Sequence, residues 1–190
     1  KTIWLLAIAY IFVYIIRFGA EDWMIKYLHE AKSNSLELAA MKLSSLPLVG
    51  IAGTICAGLI SDKIFKGQRA PVNLIYLAGV VACLILLKFN TISSIDFVLI
   101  GLLGAFTYGP QMMIGGLCAV ESSSKKVASA ATGFTGTFGY IGAVLSATGT
   151  GFMVDKFGWN GAIVFWIFSA VICIAICTIL MIDEKKKKQY

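Results

Sequence analysis

Charge is scarce in this chain. Asp, Glu, Lys and Arg make up 14% of its 190 residues, where soluble domains carry about 25%. An apolar share of 58% and a mean hydropathy of +0.85 exclude an ordinary soluble domain, whose single core would leave too much apolar surface in water. Histidine is nearly absent: His29 stands alone, with no companion for a metal site. The five cysteines, Cys56, Cys83, Cys118, Cys173 and Cys177, all fall inside apolar runs. An odd number without ligand-like spacing excludes a disulfide framework and a zinc site. No nucleophile–base set, phosphate-cradling loop or dinucleotide fingerprint is present, so the sequence offers nothing to an enzyme and calls for no cofactor. Nor does the first apolar segment carry the small-x-small site of a cleavable signal peptide.

Proline is also rare, with 3 residues against 19 Gly, and long apolar runs follow from that. A window of about 20 residues, the length that crosses a bilayer as a helix, finds six spans: Ile3 to Trp23, Leu43 to Ile60, Val72 to Leu87, Ile95 to Val120, Ala128 to Val154 and Gly161 to Ile182. The expected fold is an all-α membrane protein. The first span is the one to watch, because its clean apolar run stops at Ile16. Six crossings place both ends on one side. That side receives Lys1, Lys63, Lys66, Arg69, Lys125, Lys126 and Lys185 to Lys188, ten of the 16 basic residues. The other side has Lys26, Lys32, Lys42, Lys88 and Lys156, offset by Glu21, Asp22, Glu30, Glu37, Asp96 and Asp155. A Lys/Arg excess marks the cytoplasmic side, so both termini are expected there. The formal charge of +6 is then a topology signal and not a nucleic-acid surface, and the basic tail 185–190 flanks the last span beside anionic lipid.

The second span ends Gly58-Leu-Ile-Ser-Asp62-Lys63 and the fifth ends Gly151-Phe-Met-Val-Asp155-Lys156, an offset of 93 residues. Because the two spans run in opposite directions, the match indicates an inverted 3+3 repeat, with repeats at about 1–90 and 91–184. The first copy continues through Lys66-Gly67-Gln68-Arg69 and resembles the loop motif that follows the second helix of a major facilitator half, with one residue inserted before the glycine. Gly58, Asp62, Lys63 and Arg69 are its candidate residues, and Asp62 at a helix end is suited to pairing with nearby cations.

Arg17 is the residue that needs an explanation, since an arginine at the centre of a span costs about 2.5–3.5 kcal/mol on insertion scales. Tyr10, Tyr14 and Arg17 share one helix face, and a guanidinium fork suits a phosphate. Two arrangements satisfy these facts. In one, the helix continues to about Trp23 and Arg17 lines an anion site. In the other, Arg17 reaches the outer interface and pairs with Glu21, one turn on. Tyr108 beside Pro110 in the fourth span, and Tyr140 on the glycine-rich fifth, are further polar exceptions that packing alone also accommodates.

Together these segments resemble the organophosphate:phosphate antiporter family of the major facilitator superfamily, as its C-terminal six-helix half. The likeness is carried by Phe12-Val-Tyr14-Ile-Ile-Arg17-Phe-Gly19 with Asp22-Trp23, by Tyr108-Gly-Pro110 to Gly115, by Gly133-Phe-Thr-Gly136-x-Phe-Gly139-Tyr140, and by Gly158-Trp159-x-Gly161. The resemblance implies an inner-membrane antiporter that exchanges a phosphate ester for inorganic phosphate by alternating access. Glycerol-3-phosphate is the first expectation and hexose phosphate the second, because Thr132 and Thr135 stand where hexose-phosphate relatives carry a charged pair. It further implies that Arg17, Tyr14, Tyr108 and Tyr140 line the substrate site. The second arginine belongs to an N-terminal half outside this chain, which opens at Lys1 and reads as an excised half. The competing expectation is a sensor of the same fold that binds a phosphate ester and signals to a partner kinase.

Overall fold

The computed structural model describes residues 2–123 and 126–187, the last four as backbone only. The Lys125 position and the side chains of the basic tail 185–190 lie outside the described residues. Helix dominates because a backbone in hydrocarbon must satisfy its own hydrogen bonds. The elements are α1 (Thr2–Glu30), α2 (Leu36–Lys63), α3 (Arg69–Phe89) and α4 (Ser93–Met112), the last running on through a π-helical turn (Met113–Leu117) into a short α5 (Cys118–Glu121). The final element, α6 (Ala128–Lys187), contains one non-helical residue, Gly158, with φ 66° and ψ −169°. Only glycine adopts that conformation without strain.

The chain reverses at Gly158. On the first arm of α6, Phe134 packs on Trp4 and Gly151 faces Trp23. On the second arm, Trp159 meets Trp23, Trp166 meets Gly19, and the Cys173 thiol reaches Ala9 O. The first arm therefore runs parallel to α1 and the second runs back along it. Among the described residues, five helices have the length and apolarity of membrane spans, and α6 supplies two of the six passes. The turn expected between the fifth and sixth spans is thus only one residue wide.

The repeat is visible in the packing. Ser45 on α2 donates to Phe97 O on α4 at 3.0 Å. Moved by the 93-residue offset, that pair becomes Phe138 and Trp4, whose rings meet at 5.8 Å. Gly104 of α4 and Ile11 of α1 are related by the same offset. A Cβ on Gly104 would lie 2.0 Å from Leu46 O of α2, and one on Gly142 would lie 2.3 Å from Ile11 O. Each crossing is thus a backbone-to-backbone approach that only a glycine permits. The chain is an all-α bundle in which α1 with the first arm of α6 repeats, inverted, α4 with α2.

At the end remote from the termini, one carboxylate ties two turns together. Asp96, 2% exposed in the first turn of α4, accepts from Lys32 Nζ at 2.6 Å, Lys42 Nζ at 3.3 Å and Asn90 Nδ2 at 2.8 Å. Lys42 also donates to Ser93 Oγ and Asn34 Oδ1, so its ammonium is fully engaged although its side chain is 3% exposed. The sequence counted Lys42 and Asp96 among the charges of the outer side, and the structure encloses both, each made tolerable by the other. Removing one partner of a buried pair strands the remaining charge. Asp96→Ala is expected to destabilise the protein by about 3–5 kcal/mol, read as a lower unfolding midpoint in detergent. Lys42→Met combined with Asp96→Ala should recover part of that loss, and a double variant worse than the single would refute the account.

Candidate functional site

α1 does not stop at Arg17. It runs unbroken to Glu30, and Arg17 is the sixteenth of its 29 residues. At about 1.5 Å per residue, the guanidinium starts roughly 20 Å from either end of the helix. The condition for a mid-span arginine is met, and so is the pairing set against it. Arg17 Nε donates to Glu21 Oε1 at 3.1 Å, with the two side chains 22% and 24% exposed. Glu21, counted from sequence among the charges of the outer side, lies nine residues before the end of α1.

An aromatic box surrounds the guanidinium. Its carbon lies 5.1 Å from the Tyr108 ring centroid, 5.2 Å from Phe18 and 6.0 Å from Tyr14, within the range where ring faces attract cations. Tyr108 also donates its hydroxyl to Glu21 Oε1, so α4 and α1 are joined through the same carboxylate that holds Arg17. Tyr10 donates to Tyr14 at 3.4 Å, and Tyr140 meets Tyr14 edge-on at 6.0 Å. Tyr140 is 68% exposed and stands on the open side of the bundle. The four residues singled out from the sequence therefore sit together, Tyr14 and Tyr108 against Arg17 and Tyr140 beyond Tyr14.

Glycines make the room. A Cβ on Gly115 would fall 2.1 Å from Tyr10 Cζ, and one on Gly139 would fall 2.8 Å from the same ring. Gly115 lies in the π-helical turn, three residues beyond the end of α4 and five beyond Pro110. Proline removes one backbone donor from the ladder, and the turn after it widens, as such turns often do near functional sites. Below Tyr108 opens a cavity of about 420 Å³ lined by Tyr10, Thr54, Gln111, Gly115 and Thr132 among others. The Gln111 side-chain oxygen is buried and has no hydrogen-bond partner among the described residues. Thr132 reaches this cavity. Thr135 is instead fully buried, donating within its helix and facing Gly115 O at 3.2 Å. Sequence reasoning weighed Glu21 only as an ion-pair partner of Arg17 at the outer interface, and it singled out neither Gln111 nor Phe18 for the site. For Glu21 the signal was its i+4 spacing from Arg17; Gln111 and Phe18 are placed by tertiary packing alone.

The loop motif forms a second, separate cluster at the end that carries the termini. Arg69 donates to Asp62 Oδ1 at 2.6 Å, to Ser61 Oγ at 2.9 Å and to Glu121 Oε1 at 3.0 and 3.3 Å. It thereby joins the end of α2, the start of α3 and α5. The inserted residue is accommodated by two consecutive left-handed positions, Lys66 (φ 53°) and Gly67 (φ 82°), which turn the chain back so that Gly67 N–H reaches Ser61 O at 2.8 Å. Lys63 is exposed. A Cβ on Gly58 would meet nothing within 4 Å, so within this bundle its smallness is unused.

The model of the Major Facilitator Superfamily matches residues 1–147. The chain is 40% identical over 177 residues to the glycerol-3-phosphate transporter of Bacillus subtilis (strain 168), covering 92% of this chain and 40% of that protein. It is 38% identical over 164 residues to a probable hexose phosphate transport protein of Chlamydia pneumoniae, covering 85% and 36%. It is also 39% identical over 164 residues to the membrane sensor protein UhpC of Escherichia coli (strain K12), covering 84% and 36%. The chain thus spans about two-fifths of the length of these relatives.

The two ion clusters should differ sharply in strength. Asp62 and Glu121 are 62% and 47% exposed, and pairs so open to solvent are worth about 0.2–1 kcal/mol. A double-mutant cycle on Arg69→Ala and Glu121→Ala is expected to give a coupling within that range in detergent unfolding. A coupling several times larger would mean that the cluster is shielded in the whole protein.

Proposed function

The chain belongs to the major facilitator superfamily, in its organophosphate:phosphate antiporter branch, and from that premise we propose that it is the C-terminal half of a carrier that exchanges a phosphate ester for inorganic phosphate. Arg17 binds the phosphoryl group, with Tyr14, Tyr108 and Tyr140 around it. The observation that carries this reading is the arginine halfway along an apolar helix, walled by Tyr14 of its own helix and Tyr108 of α4, with the exposed Tyr140 of α6 beyond Tyr14. A guanidinium on a membrane helix that faces neither lipid nor a loop is most economically explained by an anionic ligand. The likeness to a glycerol-3-phosphate transporter and to hexose phosphate transport proteins supplies the substrate class. Thr132, a short neutral side chain on the cavity wall, favours the smaller glycerol ester.

Alternating access then requires a second half that rocks against this one across the open face, as in the superfamily generally. The basic end, with Lys63, Lys66 and Arg69, faces the cytoplasm by the Lys/Arg rule. For a bacterial carrier, this places both termini inside the inner membrane. The repeats fall at about 1–90 and 91–184. The Asp62–Arg69–Glu121 cluster holds the cytoplasmic ends of this half together while it moves.

A sensor is the second reading, favoured by the 39% identity to a membrane sensor protein. The two part company in one assay. In proteoliposomes preloaded with glycerol-3-phosphate, the whole protein is expected to take up labelled phosphate. Ester binding without uptake would favour the sensor. Arg17→Lys is expected to abolish exchange while leaving membrane expression intact, because a point charge does not reproduce the planar fork. Normal exchange by that variant would remove Arg17 from the site.

A further inference from the structure

Glu21 is an unusual neighbour for an arginine meant to bind a dianion. Left alone, its carboxylate would neutralise Arg17 and repel the ligand. Its geometry assigns it another task. Both of its hydrogen bonds, from Arg17 Nε and from the Tyr108 hydroxyl, end on the same oxygen, Oε1. Among the described residues, Oε2 receives none. Held from two helices, the carboxylate has one oxygen fixed and one presented, on a side chain that is 24% exposed. The contact with Glu21 uses a single one of the guanidinium's five donors, on its Nε edge.

We propose that Glu21 is the specificity residue of this site: its Oε2 accepts a hydroxyl of the ester's polyol arm, so that a polyhydroxylated phosphate ester is distinguished from inorganic phosphate. The proposal rests on the reading of Arg17 as the phosphoryl ligand. With the phosphoryl group against the terminal nitrogens, the ester arm extends past the Nε edge toward Glu21. The cavity that Tyr108 helps to line carries a second unpaired acceptor, the Gln111 oxygen. Two unpaired acceptors, one on the carboxylate that the Tyr108 hydroxyl holds and one in the cavity that Tyr108 lines, suit a ligand arm that carries donors. An alkyl arm offers them nothing, and a buried acceptor left unpaired is unfavourable. Tyr108 is here a positioning residue, since its hydroxyl is directed at Oε1 and leaves Oε2 free.

The test compares three probes on the whole protein in proteoliposomes: glycerol-3-phosphate, propyl phosphate (the same charge and arm length without hydroxyls) and inorganic phosphate, each as a competitor of labelled phosphate uptake. Wild type should prefer glycerol-3-phosphate to propyl phosphate. In Glu21→Leu that preference is expected to shrink roughly tenfold, the lower end of what a hydrogen bond to a charged group confers. Any change in inorganic phosphate competition should be smaller than the loss for glycerol-3-phosphate. Glu21→Gln keeps a neutral acceptor in place and should lose less of the preference; if the leucine variant does not fold, this one decides. An unchanged ratio between glycerol-3-phosphate and propyl phosphate in a folded variant overturns the proposal, as does an equal loss for all three probes, which would make Glu21 only a support for Arg17. The underlying reading fails by a different signature, inorganic phosphate competing normally in Arg17→Lys, so the two failures are distinguishable.

Discussion

An arginine fixed at the middle of a long apolar helix constrains everything packed around it. Lipid does not solvate a guanidinium, and Arg17 is too far from either end of α1 for its side chain to reach headgroups. The bundle must therefore bring polar and aromatic groups to it. It does so with Glu21 from the next turn, Tyr14 and Phe18 from the same helix, and Tyr108 from α4. Helix association in a bilayer draws little on the hydrophobic effect, so the position of α4 against α1 owes much to this contact and to the shared Glu21 carboxylate.

The glycines permit that convergence. Tyr10 lies where Cβ atoms on Gly115 and Gly139 would otherwise intrude, and the Tyr108 ring abuts Gly50. The small residues of α6 thus divide by role. Gly142 sets the approach of its helix to α1, and Gly139 clears the floor of the tyrosine cluster. Gly133 and Gly136 would meet nothing within 4 Å. Read as a stripe, all four look like packing residues, and only two of them pack within this bundle.

How legible the molecule was depended on the range over which each constraint acts. The spans, the reversal at Gly158 and the inverted repeat are written in local apolarity and in one 93-residue self-match, and the packing follows them. Arg17 stood out because a charge in lipid is expensive wherever it occurs. The π-helical turn was not visible: Pro110 marked a disturbance, but its resolution depends on a tyrosine 100 residues away in α1. Lys42 and Asp96 read only as charges of the outer side, because nothing near them in sequence reveals that two turns close over them. Glu21 was set aside as the less interesting half of an alternative, yet the alternatives were not exclusive. A mid-helix arginine can keep a carboxylate partner and still present the rest of its fork.

That coexistence decides what this half achieves by itself. Arg17 and Glu21 together carry no net charge, so the cluster as it stands attracts a phosphate dianion only through short-range hydrogen bonds. On the proposed reading, the attraction must be completed by positive charge from across the open face, where Tyr140 stands 68% exposed. The same requirement gives a reason for alternating access. A site with its positive charge on one half and its polyol acceptors on the other would be fully formed only when the halves close around a ligand that carries both a phosphoryl group and hydroxyls. Inorganic phosphate would engage only the first set, and its return journey would depend less on Glu21 than the inward passage of the ester. A neutral pair at the midplane is in that sense an advantage for an exchanger: it lets each ligand leave, which an unopposed arginine would resist.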